Sequence, residues 1–128
     1  MALDKNYDNI GYVLGRLFAV LERIQEQAQG RGLNKTIRDT YFGAASSTPI
    51  VTFKRLQDLA IHHLAKIRNS GKSTVWLDQL IQEVSGHIPP QGIPSILNLE
   101  DQGRFSIGYY HQRQDFFTKK ENETKGEE

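Results

Sequence analysis

IGYVLGRLFAVLERIQEQA, residues 10–28, is the stretch that decides the fold. Ile10, Leu14, Leu17, Leu21, Ile24 and Ala28 recur at alternating steps of four and three, the spacing that places side chains on one face of an α-helix. Val13, Phe18 and Val20 widen that stripe. Asp8 is a suitable N-cap for the helix, and Gly30-Arg31-Gly32 supplies the glycine that a left-handed C-terminal turn requires.

Working outward, the same period returns four times. Asn34 is placed to cap a short helix through Thr36, Ile37, Tyr41, Phe42 and Ala45 that ends at Ser46-Ser47. Thr48-Pro49 then sets an N-cap before a proline at the first helical position, where a missing N–H costs nothing. The third helix buries Phe53, Leu56, Ala60, His63, Leu64 and Ile67 and stops at Asn69-Ser70-Gly71. Ser73 can cap a fourth, with Leu77, Leu80, Ile81 and Val84 inward and Trp76 at its edge. Residues 86–94 hold three of the four prolines and form an irregular connection. A fifth helix starts near Asn98. No alternating strand pattern competes, apart from Ile50-Val51-Thr52-Phe53, which Pro49 and the following helical period claim. The expected fold is all-α, a compact bundle of about five helices over residues 1–120.

Composition bounds the function. The chain has 128 residues, 38% hydrophobic, with a net charge of +1 and no cysteine. Residues 1–120 carry 15 Lys/Arg against 11 Asp/Glu, whereas 121–128 carry one Lys against four Glu and no apolar residue. That end is expected to be a disordered acidic tail. The absence of cysteine excludes disulfides and thiolate metal sites. No apolar run approaches the ~18 residues of a membrane span, and MALDKNYDN lacks the pattern of a signal peptide, so a cytoplasmic protein is expected. A body charge of +4 is well below that of an autonomous, tight DNA binder, so any nucleic-acid contact has to come from local placement.

A search for reactive constellations returns negatives. Asn69-Ser70-Gly71-Lys72-Ser73-Thr74 is like the end of a P-loop, but Lys66 stands where the first glycine belongs, and a helix precedes the motif in place of a strand. An ordinary capped turn, or a helix N-terminus holding a backbone phosphate beside Lys72, accounts for it better. His62 and His63 point about 100° apart on a helix and lack the spacing of a metal pair. His63 lies in the core arc and His62 faces away. His111 has Asp115 one turn later, an ordinary surface pair. No catalytic residue, metal ligand or cofactor is proposed, and no enzymatic activity is expected.

Two kinds of surface remain. Arg55, His62 and Lys66 align opposite Phe53 and Leu64, and Arg16 and Arg23 share a narrow face with Tyr12 and Ala19. With Lys72 these six are candidate phosphate contacts, although charge at helical spacing also suits a solvated face, and Arg16 and Arg23 equally suit a protein interface. The segment from Arg104 to Phe117 holds five of the chain's 12 aromatics. Phe105, Gly108, Tyr109, Gln112 and Phe116 form one stripe and Tyr110 and Phe117 a second. The first is assigned to the core. The second suits unpaired bases, or equally a neighbouring helix or subunit. Arg104, Tyr110, Arg113 and Phe117 are taken as subunit-interface candidates.

YVLGRLFAVLERIQEQA (12–28), TIRDTYFGAASSTP (36–49), LAIHHLAKI (59–67) and NLEDQGRFSIGYYHQRQDFFTKK (98–120) together resemble the C-terminal helical region of the large subunit of type I-C CRISPR surveillance complexes (Cascade). In that family the region is also made alone, by internal translation initiation, as a small subunit. The resemblance implies a non-enzymatic helical bundle, present in more than one copy in a crRNA-guided complex. Its implied partners are the backbone and large subunits, other copies of itself and the displaced single-stranded non-target DNA of the R-loop. A purely structural assembly subunit that never touches DNA is the alternative. Thr40 departs from the basic residue expected at its position, and no role is carried onto residues 86–95.

Overall fold

The computed structural model describes residues 2–30 and 36–127, with side chains as far as Thr118. It contains five helices, α1 (Ile10–Gln29), α2 (Ile37–Ser47), α3 (Pro49–Asn69), α4 (Val75–Ser85) and α5 (Leu99–Glu127), and no strand among the described residues. The all-α bundle read from the periodicity is therefore the fold of the chain. The expected disordered tail, 121–128, lies outside the residues whose side chains are described, and α5 carries helical backbone to Glu127.

The helix ends follow local chemistry, with three shifts from the sequence reading. Asn9 caps α1 in place of Asp8, its side-chain oxygen accepting from the Tyr12 N–H at 3.1 Å. Thr36 caps α2, where the Asp39 carboxylate accepts from the Thr36 N–H at 2.9 Å, a reciprocal arrangement that satisfies orphan donors. Asn34 lies outside the described residues. At α4 the cap position is Thr74, and Ser73 accepts from the Val75 N–H at 3.2 Å. Pro49 sits at the start of α3, and Asn98 accepts from the Asp101 N–H at the start of α5. Gly30, Gly71 and Gly92 take φ values near +84 to +90°, a region open to residues without a Cβ.

The larger difference lies in α1. Every residue from Gly11 to Glu22 is buried, so the helix is enclosed on all sides by α5, α3, α4 and α2. Phe18 is its aromatic hub, meeting Phe42, Phe53, Phe105 and Tyr109 edge-on at centroid separations of 5.6–6.5 Å. The tightest contact is between α1 and α5, where glycines let the two backbones touch. A Cβ on Gly15 would stand 2.8 Å from the Tyr109 amide nitrogen and closer still to the Phe105 carbonyl oxygen. Likewise, one on Gly108 would stand 2.9 Å from the Tyr12 carbonyl carbon, and one on Gly11 the same distance from that of Asp101.

The proline-rich connection is tied to the body where it leads into α5. Ile50 donates to the Pro94 carbonyl at 3.1 Å and Leu97 to the Ser47 carbonyl at 3.0 Å, with Leu97 buried. These bonds hold the α2–α3 corner against the segment that leads into α5.

The glycine contact can be tested against an exposed control. Gly15→Ala should cost more than about 3 kcal/mol, because neither opposing backbone can yield to the new methyl group. Gly43→Ala, with open space around it in α2, should gain roughly 0.5–1 kcal/mol. Urea unfolding of the two variants should show midpoints moving in opposite directions. Equal midpoints would contradict the close approach.

Candidate functional site

Arg16 has no exposed side-chain surface. Its Nε donates to Gln112 Oε1 on α5 at 3.0 Å, and one terminal nitrogen lies 3.6 Å from the Glu83 carboxylate on α4. Both terminal nitrogens lack a hydrogen-bond partner, so the side chain acts as an interior cation balanced by a carboxylate at the rim. Its expected place among outward phosphate contacts does not match this burial. The physical reason is the glycine contact, which draws α5 over the face that the heptad spacing leaves polar. Arg23 is also drawn in. It lies 3.4 Å from Glu26 with its guanidinium 6.0 Å from the Phe116 ring centre, leaving a fifth of its side chain exposed.

The two arginines of α5 are likewise paired within the chain. Arg113 donates to Glu22 at 2.7 Å and to the Tyr109 hydroxyl at 2.9 Å, and Tyr109 donates to the same Glu22 oxygen at 2.6 Å. Glu22 is buried, so two donors share the cost of placing its charge in the interior. Burial and the Glu22 carboxylate push the Tyr109 hydroxyl well up, which keeps it a donor. Arg104 pairs with Glu100 at 2.7 Å and Asp101 at 3.5 Å. Of the interface candidates, Arg104 and Arg113 are thus committed to intrachain partners, whereas Tyr110 and Phe117 each leave nearly half their surface open, at 49% and 47%.

The third helix behaves differently. Arg55, His62 and Lys66 are exposed, and none of them has an ion-pair partner among the described residues. Arg55 and His62 line one groove of about 410 Å³ with Val51, Lys54, Asp58 and Leu59. Lys66 follows His62 by one turn, roughly 6 Å along the axis. Arg68 donates to the Thr74 hydroxyl at 3.2 Å, and Lys72 is exposed in the turn beyond. The structure therefore gathers Arg55, His62, Lys66 and Lys72 along one helix and its following turn, and sets Arg16 and Arg23 apart.

Sequence reasoning missed Lys54, Arg38 and Tyr41. Arg55 Nε donates to the Tyr41 hydroxyl on α2 at 3.0 Å, and this bond, with the nearby hydroxyl charge, pushes its guanidinium further up. Arg38 donates to the Tyr110 hydroxyl and lies over the rings of Phe42, Tyr109 and Tyr110 at 5.3–5.9 Å. The available signal was the spacing of Arg38, Tyr41 and Phe42, which aligns an arginine with two rings on one side of α2.

Three of the four histidines are engaged with neighbours, His62 being the exposed one. His63 is buried against Gln29 at 3.4 Å, His87 meets Asp8 at 2.8 Å, and His111 meets the Tyr12 hydroxyl at 2.9 Å. No cluster of three metal-ligating side chains occurs among the described residues, and no helix there is long and apolar enough to cross a membrane. Residues 1–117 match the family model for the CRISPR-associated protein (Cas_Csd1). No curated protein matches the chain.

Arg113→Ala should lower the stability of the isolated chain by roughly 2–3 kcal/mol, because Glu22 would keep only Tyr109. The cost stays below that of stripping a fully buried pair, since Arg113 is about a third exposed. Arg104→Ala should change little, and chemical denaturation distinguishes the two. A second expectation concerns pH. Burial, followed by the charges of His62 and Lys66, holds His63 below its ordinary 6.5. The unfolded chain takes up that proton first, so stability should fall as pH drops through about 6.5 and level off below the lowered folded value. His63→Gln should flatten the difference between melts at pH 7.5 and 5.0. An unchanged difference would place the sensitivity elsewhere.

Proposed function

The chain belongs to the family of the CRISPR-associated protein (Cas_Csd1), and we propose that it serves as the non-catalytic small subunit of a type I-C crRNA-guided interference complex. In this reading it bridges the backbone and large subunits in the cytoplasm and stabilises the R-loop by contacting the displaced non-target strand. One observation carries the DNA contact. The arginines of α1 and the described arginines of α5 are paired with carboxylates of this chain, while the cations of α3 and its following turn have no such partner among the described residues.

The mechanism is differential stabilisation. Pairing of the guide with its target exchanges one duplex for another of similar stability, so modest backbone contacts can tip the balance. Each exposed α3 cation that meets a phosphate releases a counterion and adds salt dependence. A mildly charged bundle binds weakly alone, but assembly holds it beside the strand at high effective concentration. The docking part of the proposal is supported by Ile96, in the connection just before α5, and Leu99, its first residue, 71% and 84% exposed, a position that suits cover by a neighbouring subunit. The non-catalytic part is supported by the engagement of His63, His87 and His111 in bonds within the bundle.

Arg55→Glu with Lys66→Glu should leave assembly with the other subunits and crRNA intact and weaken target DNA binding about tenfold. Loss of two phosphate contacts should also reduce the dependence of log K on log salt by about 1.4 for a single strand. Co-purification followed by target binding at three salt concentrations measures both. Normal affinity and an unchanged salt slope in a fully assembled complex would refute the DNA contact and favour a purely structural subunit.

A further inference from the structure

Arg38 and Arg55 stand apart from the other arginines that bridge helices. Arg16 and Arg113 are balanced by Glu83 and Glu22, whereas Arg38 is held by the Tyr110 hydroxyl and by ring faces and Arg55 by the Tyr41 hydroxyl, with no carboxylate in ion-pair range among the described residues and Asp58 sharing the groove of Arg55 beyond that range. A tyrosine fixes the guanidinium in place without neutralising it. Each is thus a positioned cation whose charge remains open to an anion.

These two cations belong to one path across three helices. Arg55 on α3 donates to Tyr41 on α2, Arg38 lies one turn before Tyr41 on α2, and Arg38 donates to Tyr110 on α5. Arg113 follows Tyr110 by one turn, with its guanidinium 5.7 Å from the ring centre of Phe117. α2 touches both α3 and α5, so the six side chains alternate between arginine and aromatic ring along a continuous surface. Tyr110 and Phe117 lie two turns apart, about 10.5 Å along α5, and nearly half of each is open to solvent.

We propose that this arginine–aromatic track is a binding site for unpaired nucleic acid, with Arg38 and Arg55 on phosphates and bases stacked on Tyr110 and Phe117. The inference rests on the displaced-strand reading above and extends it from phosphates to bases. Every base offers a π-face whatever its sequence, and duplex DNA offers none along its length, so alternating rings and cations select single strands without selecting a sequence. Protein interfaces are also enriched in tyrosine, phenylalanine and arginine, so a protein partner is the competing occupant, and the assembly arm of the test below separates the two.

The test titrates the full chain with a thymidine 12-mer, plain or carrying 5-iododeoxyuridine, and with the corresponding duplex, up to millimolar strand. Chemical shifts and ultraviolet crosslinking are the readouts. The single strand should bind several-fold tighter than the duplex and crosslink to Tyr110 or Phe117. Tyr110→Leu with Phe117→Leu, whose melting should match the parent because both rings are half exposed, should weaken binding about tenfold per ring. Arg38→Lys should reduce affinity while preserving the salt slope, because the charge is kept and the planar stacking surface is lost. If the strand binds, Arg55→Glu with Lys66→Glu weakens it and the double leucine variant stays within twofold, the track is refuted while the phosphate contact stands. If the leucine variant binds the strand normally but fails to assemble with the other subunits, the surface is a protein interface and the proposal is overturned. Absence of any shift at millimolar strand would sink both readings.

Discussion

The contact on which the rest of the structure depends is the glycine-mediated approach of α5 to α1. Gly11, Gly15 and Gly108 remove side chains where the two backbones meet, so Phe105 and Tyr109 reach Phe18, the hub of the aromatic core. With any larger residue α5 would stand off by a side-chain layer, and the edge-on ring contacts that fill the interior would be lost. Close approach has a second effect. It closes water out of the polar side of α1, which must then satisfy its charged groups from within.

That requirement explains how the charges are distributed. Arg16 and Glu22 are both enclosed by α5, and each draws partners from another helix: Gln112 and Glu83 for the first, Tyr109 and Arg113 for the second. Breaking such a pair leaves an uncompensated charge in the interior, so these contacts fix the register of α5 along α1. The cations consumed in this way cannot also serve an external anion. Among the described residues, helix cations without a carboxylate partner lie on α3, which contributes one apolar face to the core and turns Lys54, Arg55, His62 and Lys66 outward, and on α2, which carries Arg38.

Much of the fold was legible because a helix with one buried face writes its period into the sequence. The stripes of α3 and α5 are buried where the spacing put them, and the proline-rich 86–94 segment is irregular as its composition requires. The role of α1 was not legible from that period. A helix enclosed on all sides is ordinarily apolar all round, and Arg16, Glu22 and Arg23 disguise this one as amphipathic. Only the GxxxG spacing of Gly11 and Gly15 hints that a partner backbone comes close on that side. Arg16 is therefore buried and Arg23 drawn partly inward, whereas Arg55, His62 and Lys66 are outward because no second helix covers their face of α3. Arg38 and Tyr41 escaped notice because their partners, Tyr110 and Arg55, are 72 and 14 residues away. Such pairings are set by tertiary packing, which local spacing does not encode.

A modest net charge is consistent with the proposed function. A subunit that bound DNA tightly on its own would occupy non-specific sites throughout the genome, since backbone contacts carry no sequence information. Pairing the α1 and α5 arginines within the chain keeps the intrinsic attraction low. Under the proposed function the few cations left open would act only where other subunits hold the chain beside an exposed strand, and specificity would come from assembly and guide pairing. In such a design the carboxylates count as much as the arginines: Glu22 and Glu83 determine which positive charges the outside can reach.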